Sequence, residues 1–442
     1  MNSISVFGIG KLGLPLAACL ANKGYNAIGV DLNKAVIQAV NKGESPYYEP
    51  GLSELVKSAG KRLTATQDYR YAVINSEASF IVVPTPSQDD GSFSTRYVES
   101  AAKQIAAALI DKPDFHLVVV TSTVLPGATE GVIKPLLETA TGKRCGRDFG
   151  LCYSPEFIAL GSVIRDFTQP DVVLIGESDT KSGNMLAEIY SNVCENQPPI
   201  VRTAIQNAEL AKISLNAYVT MKITFANTLA EIAERIPEGN VDTISNMLGF
   251  DSRIGRKYLS GGLAYGGPCF PRDNKAFASV ARKVGCKALL SEATDLANQL
   301  QNQRTVDLIE NKLGNLKGKA IAVLGLTYKP NTDVIEESSP VKISRSLLQK
   351  GAVVSVYDPG GMENAKKAFC QEKPVYASSI KDCLHDAELC VLATPWDEFK
   401  KLTPEYFIQN MKKPCLLDCW RLFSNRPEFT EKLDYFAIGL AA

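Results

Sequence analysis

Histidine is almost missing from this 442-residue chain: only His116 and His385 occur, and neither stands in a motif. A lone histidine seldom carries function, so both read as structural. Chemistry resting on a histidine base is therefore not expected, and proton transfer falls to Lys, Asp, Glu, Cys or water. The eleven cysteines form no Cys-x-x-Cys pair and no pattern with histidine, so no metal site is expected. In a long chain without an export signal they should be reduced. Neither sign of charge is in excess, Lys+Arg and Asp+Glu standing at 48 each. That balance gives no general attraction to nucleic acid or to an anionic membrane, and any phosphate binding must be local. No segment approaches the ~18–20 unbroken apolar residues of a membrane span. Met1 runs straight into the strand-like Ser3-Ile4-Ser5-Val6-Phe7 with no basic leader, so the expected location is cytoplasmic.

What is present is alternation. Short apolar runs at 4–7, 27–30, 80–83, 117–120 and 172–175 read as buried parallel strands, and 12–23 and 100–110 between them have helical spacing. From about residue 207 the pattern changes. Residues 209–235 form a helical stretch without Gly or Pro, ended by Pro237-Glu238-Gly239, and a second helical run covers 287–312. Strands return at 320–324, 353–357, 389–393 and 416–418, with a helix over 341–350. The fold class is α/β: two Rossmann-like doubly wound domains joined by a central helical region with a long helix. The expected domains are 1–200, which binds the cofactor, 201–313, helical, and 314–442, the second α/β domain.

Gly8-Ile9-Gly10-Lys11-Leu12-Gly13 follows the first strand and opens the first helix. Such a loop lets backbone approach a pyrophosphate at a helix N-terminus. Asp31 ends the next strand, where a carboxylate accepts from both ribose hydroxyls and repels a 2′-phosphate. The pattern points to NAD rather than NADP. Pro84-Thr85-Pro86 and Ser122-Thr123-Val124 end further strands of the same sheet, placing Thr85 and Thr123 to line the cofactor or the reacting centre.

A second stretch, Gly261-Gly262-Leu263-Ala264-Tyr265-Gly266-Gly267-Pro268-Cys269-Phe270-Pro271-Arg272-Asp273, surrounds one cysteine with four glycines and two prolines. These suggest backbone that approaches a bulky ligand and holds a thiol rigidly. A helix beginning at Cys269 brings Asp273 near the sulfur. Lys212 and Asn216 stand four residues apart on one face of the long helix; from spacing alone the pair could equally be solvated.

Taken together these residues resemble the UDP-glucose/GDP-mannose dehydrogenase family over nearly the whole chain. The likeness rests on the glycine loop, Tyr48-Glu49-Pro50-Gly51-Leu52, Pro84-Thr85-Pro86, Ser122-Thr123-Val124 and Ser154-Pro155-Glu156-Phe157. It continues through Ala208-Glu209-Leu210-Ala211-Lys212 to Asn216, Asp251-Ser252-Arg253-Ile254-Gly255, Gly266 to Pro271 and Gly325-Leu326-Thr327-Tyr328-Lys329-Pro330. The resemblance implies oxidation of a nucleotide hexose at C6 by two NAD. It implies Cys269 as nucleophile, Lys212 as the cation facing an oxyanion, Asp273 and Thr123 as holders of the hydrolytic water, and Glu156 as general acid/base. Asn216 is implied to hold sugar and water, Lys329 to contact phosphate, hexose or cofactor, and Arg253 to reach the substrate across a homodimer interface. Phe157, Tyr258 and Gly266 complete the implied substrate contacts. Gly8, Gly10, Lys11, Leu12, Gly13, Asp31, Thr85 and Thr123 would hold NAD, and no metal is implied.

The chain departs from the family in three places. Leu160 stands where a second glutamate is usual, Arg272 replaces a lysine, and Thr332-Asp333-Val334-Ile335-Glu336 lacks a customary arginine. UDP-glucose is the expected hexose; GDP-mannose and UDP-N-acetylhexosamines are the alternatives. A two-electron β-hydroxyacid dehydrogenase would need neither Cys269 nor the second α/β domain. A nucleotide-sugar-binding regulator without catalysis would not need Cys269, Lys212 and Asp273 together.

Overall fold

The computed structural model describes residues 1–370 and 372–441. The chain forms two compact units, Met1–Leu215 and Asn216–Ala442. The first is built on an eight-stranded sheet: β1 Ser3–Phe7, β2 Asn26–Val30, β3 Leu63–Thr66, β4 Ala78–Ile81, β5 His116–Val120, β6 Phe149–Tyr153, β7 Val173–Glu177 and β8 Ile200–Thr203. The spatial order is β3-β2-β1-β4-β5-β6-β7-β8. The order reverses between β1 and β4, and at such a point ligands bind beyond the carboxyl ends of the strands. Phe7 pairs with Val30 on one side and Ile81 on the other, so β1, β2 and β4 end at one level. The following loops therefore open onto the same crevice.

β7 departs from the expected parallel arrangement. It runs antiparallel to β6, with Tyr153 opposite Gly176, and parallel to β8. The cause lies in the connection. β7 begins beyond the end of the sheet at which β6 stops, and along the connection Glu49 accepts from Gly161 N–H and Val163 N–H, each at 2.8 Å. A strand entered without a crossover pairs antiparallel. Hydrophobic runs carry no direction, which is why the sequence pattern could not distinguish the two. β6, Phe-Gly-Leu-Cys-Tyr, is buried throughout yet has no β-branched residue to signal a strand.

The second unit carries a six-stranded, all-parallel sheet: β9 Ala320–Leu324, β10 Val353–Tyr357, β11 Val375–Tyr376, β12 Leu389–Leu392, β13 Cys415–Asp418 and β14 Asp434–Ala437. Its order is β11-β10-β9-β12-β13-β14. One face packs Val323, Val354, Val391 and Leu417 against helices. The other includes Phe423 stacked on Phe429 with ring centres 4.0 Å apart. The helices Val241–Phe250, Phe270–Lys283 and Leu289–Leu313 precede this sheet. The division between the units falls inside the long helix Ile205–Ala233. No helix among the described residues is long and apolar enough to cross a membrane.

His116 is structural. His116 lies in β5, fully buried, between Ser79 Oγ at 2.8 Å and the Ser76 carbonyl at 3.1 Å. Burial drives its pKa down to about 3, so the ring stays neutral. His385 is exposed beside Asp386.

Candidate active site

In the first unit the three loop glycines have different neighbours. Gly8 has φ +90°, and a side chain there would strike the Val82 carbonyl; one on Gly13 would strike the Gly8 carbonyl. A Cβ on Gly10 would meet nothing within 4 Å. Two glycines thus serve the turn, and the middle one leaves space along the backbone, as a pyrophosphate requires. The helix Gly13–Asn22 starts at Leu12 with no side-chain cap; Leu14 N–H already donates to the Gly10 carbonyl at 3.0 Å and Pro15 has no N–H, so an anion would meet the loop backbone ahead of the helix. Asp31 grips this loop from β2: Oδ2 accepts from Ile9 N–H at 3.0 Å and Oδ1 from Asn33 N–H at 2.8 Å. Each carboxylate oxygen retains a second acceptor direction for a ribose hydroxyl. The residues present fit NAD.

The second unit offers a contrast. Asp358 follows β10 as Asp31 follows β2, but it is 2% exposed. Its oxygens accept from Leu326, Thr327, Gly360 and Gly361 N–H, the Thr327 hydroxyl and the Trp396 indole. No acceptor direction remains for a ribose.

Beyond β4 and β5, Thr85 Oγ1 donates to the Thr123 carbonyl at 2.8 Å, and Ser122 Oγ accepts from Val83 N–H at 2.8 Å. Thr123 itself is half-buried. Beyond β6, Lys212 Nζ donates to the Glu156 carbonyl at 2.5 Å and lies 5.0 Å from the Phe157 ring centre. Lys212 is thus buried and bound rather than solvated. Glu156 as a whole is half-buried, but its Oε1 is sealed from solvent with no hydrogen-bond partner. That burial raises its pKa to about 8, against a smaller downward pull from the Lys212 ammonium. At neutral pH the group is a protonated acid, able to donate.

The sign for stability follows. The unfolded carboxyl ionises near its model value of 4.5, whereas the folded one holds its proton until about pH 8. The folded state therefore binds more protons in this window, and its stability falls as pH rises from about 5 to 8. Glu156→Gln removes that dependence. The apo wild type should lose several degrees of Tm relative to Glu156→Gln across this range, since ~1 kcal/mol moves such a domain by roughly 2–4 °C. Parallel Tm curves would show that the carboxyl is not held neutral.

In the second unit Cys269 is exposed and stands at the N-cap position of the helix Phe270–Lys283. Asp273 N–H donates to the Cys269 carbonyl at 2.8 Å, placing the two residues one helical turn apart. Asp273 is 1% exposed; its Oδ2 accepts from Asn216 Nδ2 at 2.6 Å and its Oδ1 from Arg272 Nε at 3.2 Å. Asn216 is therefore a buried partner of Asp273.

The glycines before Cys269 have a steric cause within the chain itself. A side chain on Gly266 would strike the Glu337 carbonyl, and one on Gly267 (φ +84°) would come 2.7 Å from the Tyr328 ring. Gly267 N–H also donates to the Glu336 carbonyl at 3.0 Å. Close approach to the chain's own 328–337 segment requires glycine at these two positions. Tyr258 adopts φ +67° and meets Phe270 edge-on with ring centres 6.2 Å apart. Arg253 is exposed and doubly bonded to Asp251. Lys329 is half-buried, its Nζ 5.9 Å from the Tyr328 ring centre.

One group was missed as a functional candidate. Glu209 is wholly buried on the long helix, and its carboxylate accepts from Gly127 N–H at 2.7 Å and Thr129 N–H at 2.8 Å. Its spacing of three from Lys212, on one helix face, was the available signal.

A doubly wound sheet with an open glycine loop and an acid at the end of its second strand, in a chain bearing a second such sheet and an exposed helix-capping cysteine, defines a nucleotide-dependent dehydrogenase. Comparison with known proteins makes this specific. Residues 2–194 match the NAD binding domain, 206–300 the central domain and 322–425 the UDP binding domain of the UDP-glucose/GDP-mannose dehydrogenase family. The chain belongs to that family and is an NAD-dependent nucleotide-sugar 6-dehydrogenase. It is 38% identical to a UDP-glucose 6-dehydrogenase of Haloferax volcanii, over 98% of this chain and 99% of the relative. It is 34% identical to a GDP-mannose 6-dehydrogenase of Pseudomonas putida, over 90% and 92%. The solved UDP-glucose dehydrogenase of Pyrobaculum islandicum superposes with a TM-score of 0.90 at 33% identity, covering 100% of this chain and 98% of that one.

Proposed function

We propose that the enzyme converts UDP-glucose to UDP-glucuronate, four electrons in two steps, through a thioester on Cys269. The observation that carries the covalent route is the exposed cysteine at a helix N-terminus with a buried carboxylate one turn on. The likeness to UDP-glucose dehydrogenases over the full chain supports the substrate. NAD supplies the oxidant, each of two molecules accepting one hydride from C6.

The chain's own groups do the rest. The Cys269 thiolate adds to the C6 aldehyde, and Lys212 balances the charge that develops on oxygen. Loss of the second hydride leaves the thioester. Water held by Asp273 and Thr123 adds to its carbonyl, the sulfur departs as thiolate, and the carboxylate forms. Glu156 donates and recovers a proton around hydrolysis, as its raised pKa allows. Asn216 holds sugar and water, while Phe157, Arg253, Tyr258, Gly266 and Lys329 contact the substrate. A covalent adduct keeps the reactive aldehyde from escaping between the two oxidations.

A homodimer is part of the same reading. Tyr218, Phe225, Leu296 and Leu300 are exposed on the two longest helices of the chain, and Phe250 is 87% exposed. Large apolar groups left in water at this density suit an interface with a second copy.

The test is a panel of UDP-glucose, UDP-galactose, UDP-N-acetylglucosamine and GDP-mannose with NAD. UDP-glucose should give the highest kcat/KM, at two NADH per sugar. A tenfold preference for GDP-mannose would overturn the substrate, and one NADH per sugar the four-electron course.

A further inference from the structure

We infer that Glu209 is a positioning residue for the hydrolytic half of the reaction, fixing the segment that carries Thr123 to the helix turn that carries Lys212. The inference rests on the role proposed for Thr123. The segment leaving β5 is held at both ends. At its start, Thr85 Oγ1 donates to the Thr123 carbonyl at 2.8 Å. At its end, Glu209 accepts from two backbone N–H groups, Gly127 and Thr129, at 2.7 and 2.8 Å. Between these anchors only Val124, Leu125 and Pro126 intervene, so the position of Thr123 is set by the pair.

Glu209 is suited to this and to little else. It is 0% exposed, and both carboxylate oxygens are engaged by backbone. Bonds from N–H to a carboxylate are stronger than those between neutral partners, and two parallel ones fix orientation as well as distance. Three residues on, Lys212 draws in the Glu156 carbonyl at 2.5 Å. One helical turn thus registers two strand-end segments, the one with Thr123 through Glu209 and the one with Glu156 through Lys212. An amide in place of the carboxylate turns one acceptor into a donor facing an N–H, which releases one anchor while changing little volume.

The experiment is a double-mutant cycle between Glu209→Gln and Thr123→Ala, read by NADH burst and steady-state rate. Glu209→Gln should leave NAD affinity and the burst of NADH within twofold of wild type. It should slow steady-state turnover by roughly tenfold to a hundredfold, the penalty of a small misplacement. The double variant should be no slower than Thr123→Ala, because residues acting as one unit are not additive. Multiplying effects in the double variant would overturn the assignment of Glu209 while leaving Thr123 in place. A silent Thr123→Ala would remove the role of Thr123 itself, and with it that of Glu209. If Glu209→Gln does not fold, Glu209→Asp, which keeps both acceptors but falls short by one methylene, carries the same cycle with the same outcomes.

Discussion

Cys269→Ala should abolish uronate formation while leaving a folded protein that still binds both ligands. The side chain is exposed, so its truncation removes little buried volume and should cost little stability. What it removes, on the proposed route, is the atom on which the thioester forms. Without the adduct, hydrolysis has no acyl group to act on, and the second oxidation loses its nucleophile. The barrier should rise by about 4 kcal/mol or more, a loss of roughly a thousandfold. The measurements are product carboxylate, NADH per sugar and thermal stability of the variant. Full uronate production at two NADH per sugar by Cys269→Ala would end the covalent reading.

Asp273→Asn separates the two halves of the reaction. Asp273 is buried, accepts from Asn216 and Arg272, and lies one turn from Cys269. The substitution is nearly isosteric but takes away the carboxylate that faces the Arg272 guanidinium and that, on the proposed route, polarises the water. Both oxidations precede hydrolysis, so the variant should release a burst of about two NADH per site and then slow by roughly 10²–10⁴. The acyl-enzyme should accumulate and be visible as added mass on the intact protein. A variant that slows without a burst and without added mass would place Asp273 elsewhere in the reaction.

How much of this was legible in the sequence depended on whether the information was local. The glycine loop and Asp31 could be read because a turn, a helix start and a strand end follow from neighbouring residues. The helical run of 209–235 emerges as Ile205–Ala233, and the run of 287–312 as Leu289–Leu313, because length and the lack of helix breakers are also local properties. The direction of β7 could not be read, since an apolar run carries no direction and the connection before it is held by a residue more than a hundred positions away, Glu49. Gly266 and Gly267 were visible as unusual, but their cause is the 328–337 backbone and the Tyr328 ring. Lys212 and Asn216 shared a helix face from spacing alone, yet only packing showed that the Glu156 carbonyl and Asp273 hold them. The elevated pKa of Glu156 comes from enclosure by 154–157, 166–174 and Tyr190, which no local pattern encodes.

Asp358 has a bearing on timing. The two sheets share a winding order, and the same strand end carries an aspartate in each, but six protein donors saturate the second one. Among the described residues there is therefore one berth of this kind for a dinucleotide, not two. On the four-electron reading, spent cofactor has to leave and fresh cofactor arrive while a half-oxidised sugar stays aboard. Turnover then includes an exchange in mid-cycle, and trapped NADH at that berth would stall the enzyme with its intermediate still attached.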